Sequence, residues 1–464
     1  MKIICIALML LSSVVQAQAA VQSDKEKWEE AIKEARKQAE GQSFQQYLEK
    51  SIVLKDEVDR FVRGEGWAKF DPELGYILNN SLMPWGIDGS SAIETIQPNG
   101  ARTTIMYADR KVRINTYGDS FTESEQVNDG ETWQEYLAAH LGEPVRNFGV
   151  GGFGVYQAYR RMIREEKTDH GAEYVILMIW GDDATRSLYR SRWTAIYPGF
   201  RQEAERSHLF HANFWANMEM DLKSGHFVEK EQLLPTKESL YRMTEPKWMA
   251  EHLKDDMALQ LFAYSQGYID ELDRKRISAL ARNLGFTFDW NATGTAPNPY
   301  SSYPGQPSTI SRMQVQTFGL LNRYSQRATL YILDKAKSFV KDNGKKLLVI
   351  LNGTVSMEPA MQGRIRDDQE ILDYLVKEEF NYLDLNAALM NNYRQAKTTL
   401  SFAEYFEKYM VDGFGHFNPL GNNFTAYSIK NKMVDLLDPK PIPYQQPATQ
   451  TINFKGYLHG GAFQ

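Results

Sequence analysis

The sequence predicts an α/β fold, a parallel sheet with helices on both faces. Three observations carry that expectation. The run Tyr174–Trp180 (YVILMIW) is continuously apolar, as a strand buried on both faces must be. Lys346–Leu351 (KLLVIL) repeats that character far along the chain. Between such runs the apolar spacing becomes helical, and strand alternating with helix builds βαβ units. The 464 residues are 42% hydrophobic and 12% aromatic, enough to bury a core and too apolar for a disordered chain. At roughly 150 residues per domain this length suggests two or three units, or one domain enlarged by an insertion.

Residues 1–19 read as a secretory signal peptide. Lys2 precedes an apolar run from Ile3 to Leu11, and Ala17-Gln18-Ala19 fits a cleavage site. The expected location is therefore secreted or periplasmic. Residues 20–66 form an N-terminal helical region, with one stripe through Trp28, Ile32, Ala35 and Ala39 and another through Phe44, Leu48, Ile52 and Phe61. From 67 to about 110, Gly, Pro and Asn punctuate short β-prone runs, an irregular lead-in. The alternation then begins: strand Val112–Tyr117, helix Glu131–Leu141, strand Val145–Phe148, helix Val155–Glu166, strand Tyr174–Trp180. It resumes with a helix around 325–342, strand Lys346–Leu351, a helix around 365–379 and strand Tyr382–Leu385. The α/β domain is thus expected at 67–185 and 313–440, with a C-terminal tail at 441–464. The stretch 186–312 holds long helical patterns near 247–284 and no buried parallel strand, so it reads as an inserted helical cap or side-lobe.

Charge and composition exclude several classes. Lys+Arg 53 against Asp+Glu 59 gives −6, which argues against a dedicated nucleic-acid binder. The single cysteine, Cys5, falls in the leader, so neither a disulfide scaffold nor a thiolate zinc site is available. No apolar run is long enough for a transmembrane helix. His208 and His211 stand at i, i+3 but lack an accompanying carboxylate pattern, and no metal is expected. Gly149, Gly151 and Gly154 match G-x-G-x-x-G spacing, yet they follow the second strand and no acidic residue marks a ribose partner. No cofactor is expected.

In open parallel sheets ligands bind beyond the carboxyl ends of the strands. Four polar or glycine-rich segments fall there: Gly118-Asp119-Ser120, Asn147–Gly154, Gly181-Asp182-Asp183 and Asp412–Pro419. Ser120, just past a strand end, is the candidate nucleophile. His416 lies in a glycine-rich loop before Asn418 and Pro419, a candidate N-cap and N1 pair, and suits a general base arriving from a separate segment. Asp412 is positioned to orient its imidazole, and the N–H groups of Ser120 and Gly152 are candidate oxyanion donors. Trp193, Tyr197, Phe210, Phe214 and Trp215 in the insertion read either as stacking walls of a cleft or as a packed core.

These four segments resemble the ordered blocks of the SGNH (GDSL-type) serine hydrolase superfamily. Tyr117–Thr122 is similar to its first block, Asn147–Gly152 to its second, and Asp412 to His416 with Asn418–Asn422 to its last; Phe70–Tyr76 resembles its approach segment. The resemblance covers about 67–185 and 313–437. It implies a three-layer α/β/α flavodoxin-like sandwich, Ser120 as nucleophile and Gly152 as oxyanion glycine. Asp119, Asn147 and Asp183 are then supporting residues. Two departures stand out. Asp182 occupies the place where the resemblance implies an asparagine donor, and a carboxylate cannot donate unless protonated. Asp412 lies four residues before His416 where three is usual, so a Ser–His dyad is a second arrangement. The expected activity is hydrolysis of a small ester or acylated glycan, through an acyl-enzyme on Ser120. The alternatives are a polysaccharide O-acyltransferase on the same scaffold and a non-catalytic glycan binder with a degenerate oxyanion hole. The sequence does not indicate an oligomeric state.

Overall fold

The computed structural model describes residues 41–196, 213–299, 307–353, 357–361, 363, 365–411 and 415–445. The leader, the first N-terminal stripe, His208, His211, Tyr197, Phe210, Asp412 and the tail beyond 445 lie outside the described residues.

Two helices, α1 (Phe44–Lys50) and α2 (Lys55–Arg63), come first. Two small hairpins follow, β1–β2 (Ala68–Asp71 with Gly75–Leu78) and β3–β4 (Ser81–Met83 with Ala92–Glu94). They form the irregular lead-in that the turn residues predict.

The body is a mixed α/β structure around a five-stranded parallel sheet. Its strands are β5 (Ile114–Tyr117), β6 (Val145–Asn147), β7 (Tyr174–Trp180), β12 (Lys346–Asn352) and β13 (Tyr382–Asp384), in the order β13-β12-β7-β5-β6. All four pairings are parallel. β7 explains its own sequence. Val175, Leu177 and Ile179 enter one buried cluster, while Tyr174, Ile176 and Met178 enter the other. Every position therefore needs an apolar side chain, each worth about 1.5–3 kcal/mol when fully buried.

Helices supply the partners on both sides. The first cluster takes side chains of α5 (Val155–Glu165), α10 (Arg312–Asp342) and α12 (Gln369–Lys377). The second takes those of α4 (Trp133–Leu141), α13 (Leu385–Ala396) and α15 (Pro419–Leu436). α10 starts well before the helix expected around 325. Ser311 and Gln314 form a capping box, Gln314 N–H to Ser311 Oγ at 3.1 Å and Ser311 N–H to Gln314 Oε1 at 2.9 Å. At α15 the Asn418 Oδ1 accepts the Gly421 N–H at 3.0 Å and Pro419 takes N1, the start signal read from the sequence.

Between β7 and α10 the chain is not only helical. After the short helix α6 (Asp183–Arg186) come the hairpin β8–β9 (Asn217–Met220 with Phe227–Lys230), the helices α7 (Pro246–Leu253), α8 (Met257–Ser265) and α9 (Arg274–Asn283), and a second hairpin β10–β11 (Thr295–Pro297 with Thr309–Ser311). The β8–β9 turn is closed by Asp221, whose Oδ1 accepts the Lys223 N–H at 2.9 Å, with Gly225 in a left-handed conformation at φ 74°. The insertion also packs on the N-terminal helices. Tyr47 of α1 donates its hydroxyl to the Thr194 carbonyl at 2.5 Å, and residues of α1 and α7 share the first cluster. Among the described residues no helix is long and apolar enough to cross a membrane.

Candidate active site

β5 is wholly buried and ends at Tyr117. Gly118 follows because there is no room for a side chain: a Cβ there would lie 2.0 Å from Thr122 Oγ1. Asp119 then caps the short helix α3 (Ser120–Glu123), its Oδ1 accepting the Phe121 N–H at 3.0 Å. That turn fixes Ser120 at the helix start, 6% exposed. β5 lies between β6 and β7, and the chain runs from it first to one neighbour and then to the other. Ser120, which follows β5, and Asp182, which follows β7, therefore sit where the strand order reverses.

His416 comes from the far end of the sequence. The segment that carries it is tied back by Val411 N–H to His416 O at 2.7 Å and by the Met410–Phe417 bridge. The imidazole packs edge-on to Phe121, centroids 5.2 Å apart, and the residue is 8% exposed. Its Nε2 lies 2.9 Å from Ser120 Oγ, a nucleophile–base hydrogen bond. Its Nδ1 lies 2.6 Å from Gln126 Oε1. Burial, with the Arg186 and Arg192 guanidinium groups adding to it, pushes the imidazole down to about 3, so it is a neutral base at ordinary pH.

The glycine-rich turn after β6 faces this pair. Asn147 is a support: Oδ1 accepts the Gly149 N–H at 2.9 Å and Nδ2 donates to the Glu123 carbonyl at 3.0 Å. Glu123 Oε2 accepts the Gly151 N–H, and Tyr76 donates its hydroxyl to the Gly151 carbonyl at 2.8 Å. Burial and the neighbouring Glu94 and Glu125 carboxyls push Glu123 well above its ordinary value. Gly152 adopts φ 82°, left-handed, with Arg192 Nη1 only 1.9 Å from where a Cβ would stand. The N–H groups of Ser120 and Gly152 have no acceptor among the described residues.

Asp182 does not supply a donor. Its side chain is 57% exposed, and Arg186 grips the carboxylate with Nη2 at 2.6 Å and Nε at 3.1 Å. The same guanidinium reaches Asp183 Oδ1 at 3.0 Å and Asp119 Oδ2 at 3.7 Å. Asp183 in turn accepts the Trp180 N–H at 2.9 Å, which ties α6 to the end of β7. Burial pushes Asp119 up to about 6 and Asp183 well above the usual carboxylate range, even beside Arg186. An arginine gathering three carboxyl groups therefore stands where the resemblance implies a neutral amide.

Four residues went unread in the sequence: Gln126, Glu125, Arg186 and Arg192. Glu125 Oε2 lies 3.9 Å from His416 Nε2, and burial beside Glu94 pushes this carboxyl up to about 8. Only Arg186 carried a local signal, an acid–base pair four residues apart with Asp182 on one helix face. Of the two readings of Trp193, Phe214 and Trp215, stacking walls or packed core, the structure shows the core. All three are buried in the first core cluster, where Trp215 stacks on Tyr76 of the lead-in with centroids 6.2 Å apart. Among the described residues no group of His, Cys, Asp and Glu side chains is gathered as a metal site requires. No protein-family model matches this chain, and no curated protein matches it in sequence.

Proposed function

We propose that this protein is an exported serine esterase of the SGNH (GDSL) type, built on a three-layer α/β/α flavodoxin-like sandwich. The observation that carries the reading is the 2.9 Å contact between Ser120 Oγ and His416 Nε2. It lies at the carboxyl edge of the sheet, beside two backbone N–H groups without acceptors. The strand order and the two buried clusters support the sandwich.

The chemistry follows from the atoms. Ser120 Oγ attacks the ester carbonyl while its proton passes to His416 Nε2. The carbonyl oxygen becomes an oxyanion that the N–H groups of Ser120 and Gly152 can hold. Collapse expels the alcohol, which takes the proton back from His416 and leaves an acyl group on Ser120. Water, deprotonated by His416, then releases the acid. The deep burial of the pair supports a short acyl group such as acetyl, and a carbohydrate ester is the substrate class we favour.

The test is turnover of acetylated sugars and short aryl esters by the wild type beside Ser120→Ala, with fluorophosphonate labelling read by peptide mass. Labelling at Ser120 and a loss of at least ~10³-fold in Ser120→Ala are expected. A wild type that neither labels at Ser120 nor turns over any ester would overturn the reading.

A further inference from the structure

A serine nucleophile needs a histidine with a bare Nε2, and that requires the ring proton to be held at Nδ1. A carboxylate usually does this. Here Nδ1 meets an amide, Gln126 Oε1 at 2.6 Å. A carboxamide can face an imidazole with either its oxygen or its nitrogen, and the two choices give opposite tautomers. The remaining contacts decide between them. Gln126 Nε2 donates to the Trp85 carbonyl at 2.7 Å, which turns Oε1 toward the ring. An amide oxygen only accepts, so Nδ1 must carry the proton. Nε2 is then bare and accepts from Ser120 Oγ at 2.9 Å.

The backbone around Gln126 is arranged for this contact. Gln126 sits at φ 74°, a left-handed conformation that a non-glycine residue adopts only when the surroundings impose it. Its N–H donates to Glu94 Oε1 at 3.1 Å. The buried Arg102 guanidinium binds the carbonyls of Glu123 and Ser124, each at 2.8 Å, and that of Val127, clamping the segment on both sides of Gln126. Trp85 itself belongs to the β3–β4 connection, so the lead-in supplies the carbonyl that orients this amide.

We propose that Gln126 is the positioning residue of the Ser120–His416 pair, a neutral amide in the place a carboxylate takes in a Ser–His–Asp triad. This rests on the serine-esterase reading. Among the described residues, the charged groups facing the imidazole are Glu125, with Oε2 3.9 Å from Nε2, and the guanidinium groups of Arg186 and Arg192. Gln126 orients the ring and sets its tautomer without adding a charge.

The experiment uses full-length protein labelled with ¹⁵N-histidine. The His416 tautomer and titration are read by NMR in the wild type, Gln126→Met, Gln126→Glu and Asp412→Ala, and kcat–pH profiles are measured on the same proteins. Wild type should show the Nδ1–H tautomer. Gln126→Met, similar in size but without an acceptor oxygen, should mix the tautomers and lower kcat about 10²-fold, with KM little changed. Gln126→Glu should keep the Nδ1–H tautomer and move both the His416 titration and the acid limb of kcat up by a pH unit or more. Asp412→Ala should leave the tautomer and the acid limb where they are. A Gln126→Met protein with the wild-type tautomer and pH profile would overturn the proposal, and so would loss of the Nδ1–H tautomer in Asp412→Ala. The NMR readout needs no substrate, so a failure to find any ester turnover would remove the esterase reading and leave the tautomer result to stand or fall separately.

Discussion

Gly152→Ala separates an oxyanion donor from a merely tight turn. The glycine sits at φ 82°, where an alanine costs about 1–2 kcal/mol from the backbone alone. The new Cβ would also lie 1.9 Å from Arg192 Nη1 and 2.8 Å from Tyr76 Oη. Tyr76 cannot retreat, because its ring packs on Trp67, Phe153 and Trp215 with centroids 6.1, 5.4 and 6.2 Å away. The guanidinium must shift, or the 151–152 peptide must rotate and carry its N–H off the oxyanion. Losing one such donor typically removes about 3–4 kcal/mol of transition-state stabilisation, or ~10²–10³-fold in kcat. Because the donor acts on charge that exists only in the transition state, KM should stay within a few-fold. The assay is steady-state kinetics on a short aryl ester, with urea unfolding of the same protein to show that it remains folded. A folded Gly152→Ala protein with kcat within about threefold of wild type would refute the reasoning, since a donor worth ~3 kcal/mol cannot be misaligned at that cost.

Arg102→Met removes a guanidinium that binds three carbonyls and, at 3.1 Å, Asp129 Oδ1. The buried acceptors are left unpaired, so urea unfolding should show a loss of about 3–5 kcal/mol, and a change below ~1 kcal/mol would mean that the clamp does not hold the segment. Asp182→Asn should alter stability by no more than about 1 kcal/mol, since its half-exposed pair with Arg186 is worth little. Its kcat should stay within about threefold of wild type, and a fall of ~10²-fold would place Asp182 at the reacting atoms. Stability should also depend on Glu125, which ionises near 4.5 in the unfolded chain and is pushed up to about 8 in the fold. The native state keeps a proton that the unfolded state has lost, so this contribution is full below about 4.5 and is lost as pH rises through about 8. Urea midpoints at pH values on either side of that window should fall in the wild type and fall less in Glu125→Gln; equal falls would exclude the residue as their source.

Much of this structure could be read from residue order, and the reasons are local. β7 was legible in full because a strand buried on both faces has no polar position to blur its ends. Ser120 and His416 were legible because glycine, aspartate and asparagine beside strand ends and helix starts are residues that turns and caps require. The contact between them spans 296 positions and was an inference from topology. Gln126 was not legible. Its part depends on a left-handed backbone, a carbonyl from the lead-in and a buried arginine, none of which leaves a periodic trace. The early start of α10 was missed although Ser311 and Gln314 spell its capping box, because the Pro/Ser tract before them drew the boundary later. The hairpin β8–β9 was missed because only its turn residues mark it.

The electrostatics of the centre follow one logic. In a Ser–His–Asp triad the carboxylate stabilises the imidazolium that forms as the serine loses its proton. Gln126 offers that imidazolium a hydrogen bond but no charge, and Arg186 and Arg192 oppose it. On the proposed mechanism, proton transfer from Ser120 to His416 is therefore harder beside this amide than beside an anion. The same guanidinium groups favour the other charge of the transition state, the oxyanion, and Arg192 stands against Gly152, whose N–H would hold it. Glu125, the acidic side chain found nearest the reacting nitrogen, is neutral below about 8 and does not cancel that field. If the site runs the proposed esterase chemistry, its stabilisation is thus shifted from the cationic to the anionic end of one transition state.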